Sequence, residues 1–171
     1  GTPLTKEGSI SGFVTPEGGE QETATFTVTG TITEVGGPIE NSYSLVWDGT
    51  ATESDYALSE DLGTLTVTAS TKELKVVSKD GSWTYSGNAN TKHEYTVTYG
   101  DESYDVTVAE GATTGTATLS TKDVVTITPA ESAAITHVAE SDVTNAFTYT
   151  VDHSDQYANQ AKTEGKLTVT P

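Results

Sequence analysis

The chain has 171 residues and a net charge of −17 at pH 7, with eight lysines and no arginine among its cations. That balance excludes nucleic acid, whose phosphates need clustered basic side chains, and docking on an anionic lipid surface. No cysteine is present and no apolar run approaches the ~18 residues of a membrane helix, so no disulfide and no membrane insertion are expected in this segment.

Threonine is the commonest residue, and it alternates with apolar residues instead of clustering with proline as in a mucin-like stalk. The chain therefore reads as folded and all-β, with little helix. In chain order, residues 10–14 are a short strand candidate. Residues 22–33 give the clearest alternation, with Ala24, Phe26, Val28, Gly30 and Ile32 on one face. Twelve residues exceed a usual strand, so Gly30 is expected to mark a bulge or bend. Tyr43, Leu45 and Trp47 repeat the pattern, which favours core packing for Trp47, and Leu65 and Val67 lie on a closing strand. Residues 69–71 read as a short, semi-rigid polar junction.

Beyond it, residues 74–77 form a strand, and Asp80-Gly81 before Trp83 is a hairpin signal. Further strands are expected at 93–99, 104–108, 116–119, 124–128, 134–137, 147–151 and 167–169. Two endings match, Gly-Thr-Leu-Thr-Val-Thr at 63–68 and Gly-Lys-Leu-Thr-Val-Thr at 165–170. Asn41-Ser42-Tyr43 and Asn145-Ala146-Phe147 precede them, with Tyr56 and Tyr157 each alone in a polar stretch between. This ordered set implies one unit used twice. Two tandem small antiparallel β domains follow, 1–69 and 70–171, each an Ig-like sandwich or β-grasp-like. The second carries about sixteen extra residues, placed within 101–136.

The opening Gly1-Thr2-Pro3-Leu4-Thr5, the corresponding Tyr85-Ser86-Gly87-Asn88-Ala89-Asn90-Thr91 and the closing Gly165-Lys166-Leu167-Thr168-Val169-Thr170-Pro171 resemble the Tyr-Asp-Gly type and mucin-binding-type β-grasp repeats of Gram-positive surface adhesins. The resemblance implies a secreted, cell-wall-attached, non-catalytic stalk or adhesive module. Its expected partners are a host glycan or extracellular-matrix protein and neighbouring repeats, and the chain is expected to be monomeric. Against that pattern the first unit lacks the strand expected to precede it, and the second has Ser86 where the family prefers aspartate. Gly1 is either the family glycine or an expression scar. No signal peptide opens the chain, and it reads as an excised part of something longer.

For chemistry, His93, His137 and His153 match no metal-ligand spacing, and no nucleophile elbow is present, so no catalytic residue is assigned. Asp101, Glu102 and Asp105 border a tight turn, as do Asp152 and Asp155, and such oxygen ligands suit calcium; solvated turn acids are the alternative. Trp83, Tyr99 and Tyr104, with Tyr95, form a candidate sugar-stacking surface, against edge or core packing. A carbohydrate-binding module is accordingly the alternative function, and a polysaccharide-active enzyme fragment the third. An internal lysine–asparagine crosslink would draw on Lys72, Lys75 or Lys92 with Asn41 or Asn145.

Overall fold

Threonine–apolar alternation becomes β-strand at many places in the computed structural model, which describes residues 2–171; the reading of Gly1 lies outside the described residues. The fold is all-β, and its helical content among the described residues is three single 3₁₀ turns. The chain divides into two units, Gly1–Thr68 and Ala69–Pro171.

Unit 1 contains β1 (Thr25–Val28), β2 (Gly36–Glu40), β3 (Tyr43–Val46) and β4 (Thr64–Val67). β1 pairs antiparallel with β3, setting Phe26 opposite Leu45 and Val28 opposite Tyr43, and β2 pairs antiparallel with β4, setting Ile39 opposite Leu65. The long alternating stretch breaks after Val28. There the Thr29 and Gly30 N–H groups both donate to the Ser42 carbonyl, at 2.9 and 3.0 Å, and two donors on one acceptor make a bulge. Glycine is needed at position 30 because a Cβ would collide with the Asn41 amide oxygen and stand 2.7 Å from Ser42 N. The strand expected at 10–14 does not form, because that segment finds no ladder partner among the described residues.

Unit 2 holds β5 (Ser70–Ser78), β6 (Gly81–Thr84), β7 (Glu94–Tyr99), β8 (Glu102–Thr107), β9 (Gly115–Thr118), β10 (Val124–Pro129), β11 (Val143–Asn145), β12 (Phe147–Val151), β13 (Tyr157–Thr163) and β14 (Gly165–Thr170). Sheet β13-β5-β7-β8 faces sheet β12-β10-β9. Leu74, Val76, Tyr95, Val97 and Tyr99 from the first pack with Val125, Ile127, Phe147 and Val151 from the second, all buried. This is sheet on sheet, the sandwich form of the expectation. A third sheet, β11-β14-β6, buries Leu167 and Val169 with Ile135. The pairings are antiparallel except two, β13 on β5 and β14 on β6, which are parallel.

Several local expectations change. Ser70 and Thr71 are the start of β5, not a junction. Asp80-Gly81 joins strands of two different sheets and makes no hairpin; the Trp83 ring lies over Gly81, where a Cβ would strike it. Residues 134–137 supply one bridge, Asn90 to Ile135. β13 was not expected at all. Its sequence Tyr-Ala-Asn-Gln-Ala-Lys-Thr shows no apolar alternation, because it is an edge strand held by backbone pairing to β5.

Tyr95 is fully buried, and among the described residues its hydroxyl has no hydrogen-bond partner. Burial pushes this phenol up to about 12. Tyr95→Phe removes an unsatisfied polar atom without altering ring packing. It is expected to raise unit 2 stability by about 1 kcal/mol in urea denaturation, whereas a loss of that size would show a bonded hydroxyl.

Several contacts recur in the two units. Asn41 N–H donates to Gly63 O, and Asn145 pairs with Gly165. The Asn41 side-chain Nδ2 donates to Lys6 O at 3.0 Å, and that of Asn145 to Lys92 O at 2.7 Å. Leu4 bridges Ile32 as Asn90 bridges Ile135. Tyr56 and Tyr157 each follow a 3₁₀ turn, and each donates to a carboxylate that precedes a strand, Glu22 and Asp123. Phe13 meets Tyr56 edge-on at 5.5 Å and 73°, and Tyr99 meets Tyr157 at 5.4 Å and 74°. By these contacts 8–13 corresponds to β7, and 56–62 to β13. Strands β8 and β9 lie in the interval assigned to the extra residues.

Candidate functional site

The residues singled out for sugar stacking are not brought together. Tyr99 is in the core at 5% exposure, its hydroxyl donating to Ser70 Oγ at 2.8 Å. Tyr104 is half-buried, bonded to Glu102 and accepting from Ser120 N–H at 3.1 Å. Trp83 belongs to a different sheet, packed on Ile135, Leu167 and Val169. Strong alternation at these positions marks core-facing strand, and of the three Tyr99 lies in the core, while Tyr104 packs partly buried against it and Trp83 against the neighbouring cluster.

The calcium set is likewise dispersed. Glu102 and Asp105 are three residues apart on β8, so their side chains leave opposite faces. Glu102 accepts from Tyr104 and from Ser120 Oγ, and Asp105 accepts from Lys79 Nζ at 3.1 Å and Thr96 Oγ1 at 3.1 Å. Those donors hold both carboxyls below their ordinary range. Asp101 occupies the two-residue turn between β7 and β8. Among the described residues no group of three His, Asp or Glu side chains is placed to hold a metal.

Asn145, Lys92 and Lys72, among the crosslink candidates, have other partners. Asn145 Nδ2 bonds the backbone carbonyls of Lys79 and Lys92, at 2.8 and 2.7 Å. Lys92 Nζ pairs with Glu94 at 2.7 Å, and Lys72 Nζ sits 5.5 Å over the Tyr99 ring.

A concave site lies in unit 1. A groove of about 730 Å³ runs between 6–13 and 56–64, floored by Phe26, Val28, Tyr43 and Trp47. Trp47 and Tyr56 stack at 5.6 Å and 25°, and Phe13 packs edge-on against both. Alternation put Tyr43, Leu45 and Trp47 on one face as expected, but that face is only half-buried. Leu58 at 53% and Leu62 at 36% stay exposed along one wall. Glu7, Glu60 and Asp61 line the groove with Lys6, the single lysine of unit 1. The Tyr43 phenol bonds Glu60 and the Tyr56 phenol bonds Glu22, which raises both tyrosines above their ordinary value. Sequence reading missed this site because a groove is defined by what is absent above a face, and periodicity reports only the face.

In unit 2 the equivalent tyrosine is buried. Tyr157 donates to Asp123 Oδ2 at 2.5 Å and bonds Thr121, while His153 Nδ1 lies 2.8 Å from Asp123 Oδ1. Burial pushes the Asp123 carboxyl up, but bonds from Tyr157, His153 and Thr121 together outweigh it and hold it low. A carboxyl depressed on folding adds stability above its unfolded pKa and loses it as pH falls through the folded value. The stability difference between the wild type and Asp123→Asn is therefore expected to be largest near neutrality and to close below about pH 4. A difference independent of pH in parallel urea titrations would contradict the assignment.

No protein-family model, no curated protein and no solved structure matches the chain.

Proposed function

We propose that this chain is a non-catalytic two-module segment of a secreted, cell-wall-attached bacterial surface protein, serving as adhesin stalk or adhesive module. The resemblance of its repeat ends to Gram-positive adhesin repeats supports this reading, as do the contacts that recur in the two units in series. The observation that carries it is the parallel pairing of terminal strands in unit 2. β5, the first strand, lies parallel to β13, and β6 lies parallel to the last strand, β14. Tension applied at the two ends pulls such partners past one another. All the ladder bonds of a pair are then loaded together, not opened in turn. That geometry suits a segment whose task is to transmit force.

Force spectroscopy on the full chain, pulled from its ends, tests the reading. Unit 2 is expected to unfold at a clearly higher force when pulled end to end than when pulled between Gly100 and its C-terminus. Equal forces in the two geometries would remove the mechanical basis for a stalk.

A further inference from the structure

In unit 2 the space between β7 and β13 is filled by β5. β5 runs parallel to β13, with Leu74 beside Gln160 and Val76 beside Lys162, and antiparallel to β7, with Val76 opposite Val97. Its inward Leu74 and Val76 are fully buried. In unit 1 the counterparts of β7 and β13 are 8–13 and 56–62, and between them lies the open groove. Neither segment pairs with a strand among the described residues.

Two details show what the groove is shaped for. At Gly165 a Cβ would stand 2.6 Å from Ser78 O and 2.8 Å from Asp80 Oδ1, so the end of β5 requires glycine there. The matching Gly63 has open space around its Cβ position and no left-handed φ, so nothing in unit 1 itself requires glycine at 63. Likewise Asn145 Nδ2 bonds two carbonyls, one of them Lys79 O at the end of β5. Asn41 Nδ2 bonds only Lys6 O among the described residues, and it lines the groove. Charge fits as well, since β5 and its end carry Lys72, Lys75 and Lys79 against Glu73 and Asp80, whereas Glu7, Glu60 and Asp61 border the groove against Lys6.

We propose that the unit 1 groove is an acceptor site for an extended, lysine-bearing polypeptide strand with apolar residues at alternate positions. The strand adds parallel to 56–62 and ends against Gly63. It supplies backbone partners to 57–62, seats two apolar side chains over Phe26, Tyr43 and Trp47, and gives Asn41 its second carbonyl. The β5 of a second copy is not the donor, because its apolar residues are already buried in unit 2. This inference stands apart from the mechanical reading, which rests on unit 2 alone.

The test uses the full chain and a peptide of residues 70–84, with amide hydrogen exchange as the readout. A second arm fuses residues 70–86 directly ahead of residue 1, so that weak affinity cannot hide the interaction. Exchange at 57–62 is expected to slow by about tenfold or more in both arms, with unit 2 unchanged. A peptide carrying Leu74→Asp and Val76→Asp is expected to have no effect. Gly63→Leu is expected to keep the thermal midpoint of the chain but abolish the protection. The proposal is overturned if the fusion leaves 57–62 exchanging as before, or if Gly63→Leu is protected equally. It is also overturned if soluble glycans, or simply more concentrated chain, protect these amides while the peptide does not.

Discussion

Phe147→Ala is expected to destabilise unit 2 by about 4 kcal/mol. The ring is 2% exposed and lies at the centre of the sandwich core. Tyr95 meets it edge-on at 5.2 Å, and Lys162 Nζ sits 5.1 Å over its face while donating to the Phe147 carbonyl at 3.0 Å. Truncation removes the transfer free energy of the ring and leaves a cavity bounded by two sheets, which cannot close without breaking their registers. A drop of that size lowers the unit 2 melting point by roughly 20 °C in calorimetry. The matching Tyr43→Ala in unit 1 removes a half-buried ring above an open groove, where solvent replaces it, and is expected to cost about 1 kcal/mol. Equal costs at the two positions would mean that unit 1 is covered as unit 2 is.

Asn145→Ala is expected to cost about 3 kcal/mol. Asn145 is fully buried, and its Nδ2 holds the carbonyls of Lys79 and Lys92, which end one strand and lead into another. Its own backbone carbonyl accepts from Ser78 Oγ at 2.7 Å, and Ser78 Oγ accepts in turn from Gly165 N at 2.9 Å. Removing the amide leaves two part-buried carbonyls without their partner, and that desolvation outweighs the small net value of each bond. Asn41→Ala breaks one bond beside the groove and is expected to cost about 1 kcal/mol. Urea denaturation of both variants reads the asymmetry directly, and a smaller loss at 145 than at 41 would contradict it.

Much of the strand pattern was legible in the sequence, since period-two alternation at Tyr43–Val46, at Glu94–Tyr99 and at Phe147–Val151 depends only on which side chains must leave water. The landmarks of the repeat were legible for a related reason. Asn41, Asn145, Gly63, Gly165, Tyr56 and Tyr157 are polar or small residues that an alternating strand does not call for. Pairing was not legible. Asp80-Gly81 has the composition of a hairpin turn, yet here it passes the chain from one sheet to another, because β6 finds its partner eighty-odd residues later in β14. β13 escaped notice because backbone bonds to β5, and not buried side chains, define it. The candidate site was missed for the converse reason: Trp83, Tyr99 and Tyr104 drew attention as aromatic residues, but the aromatic residues that line a groove are Phe13, Phe26, Tyr43, Trp47 and Tyr56.

In unit 2 residues 157–163 lie beside β5, whereas in unit 1 the corresponding 56–62 border the open groove. Amide hydrogen exchange on the unmodified chain compares the matching segments in a single measurement. Residues 157–163, paired to β5, are expected to exchange slowly, and residues 56–62 at rates near those of unstructured peptide. Comparable protection in both segments would contradict the account, since 56–62 would then already have a strand partner in the unmodified chain, where the groove stands open.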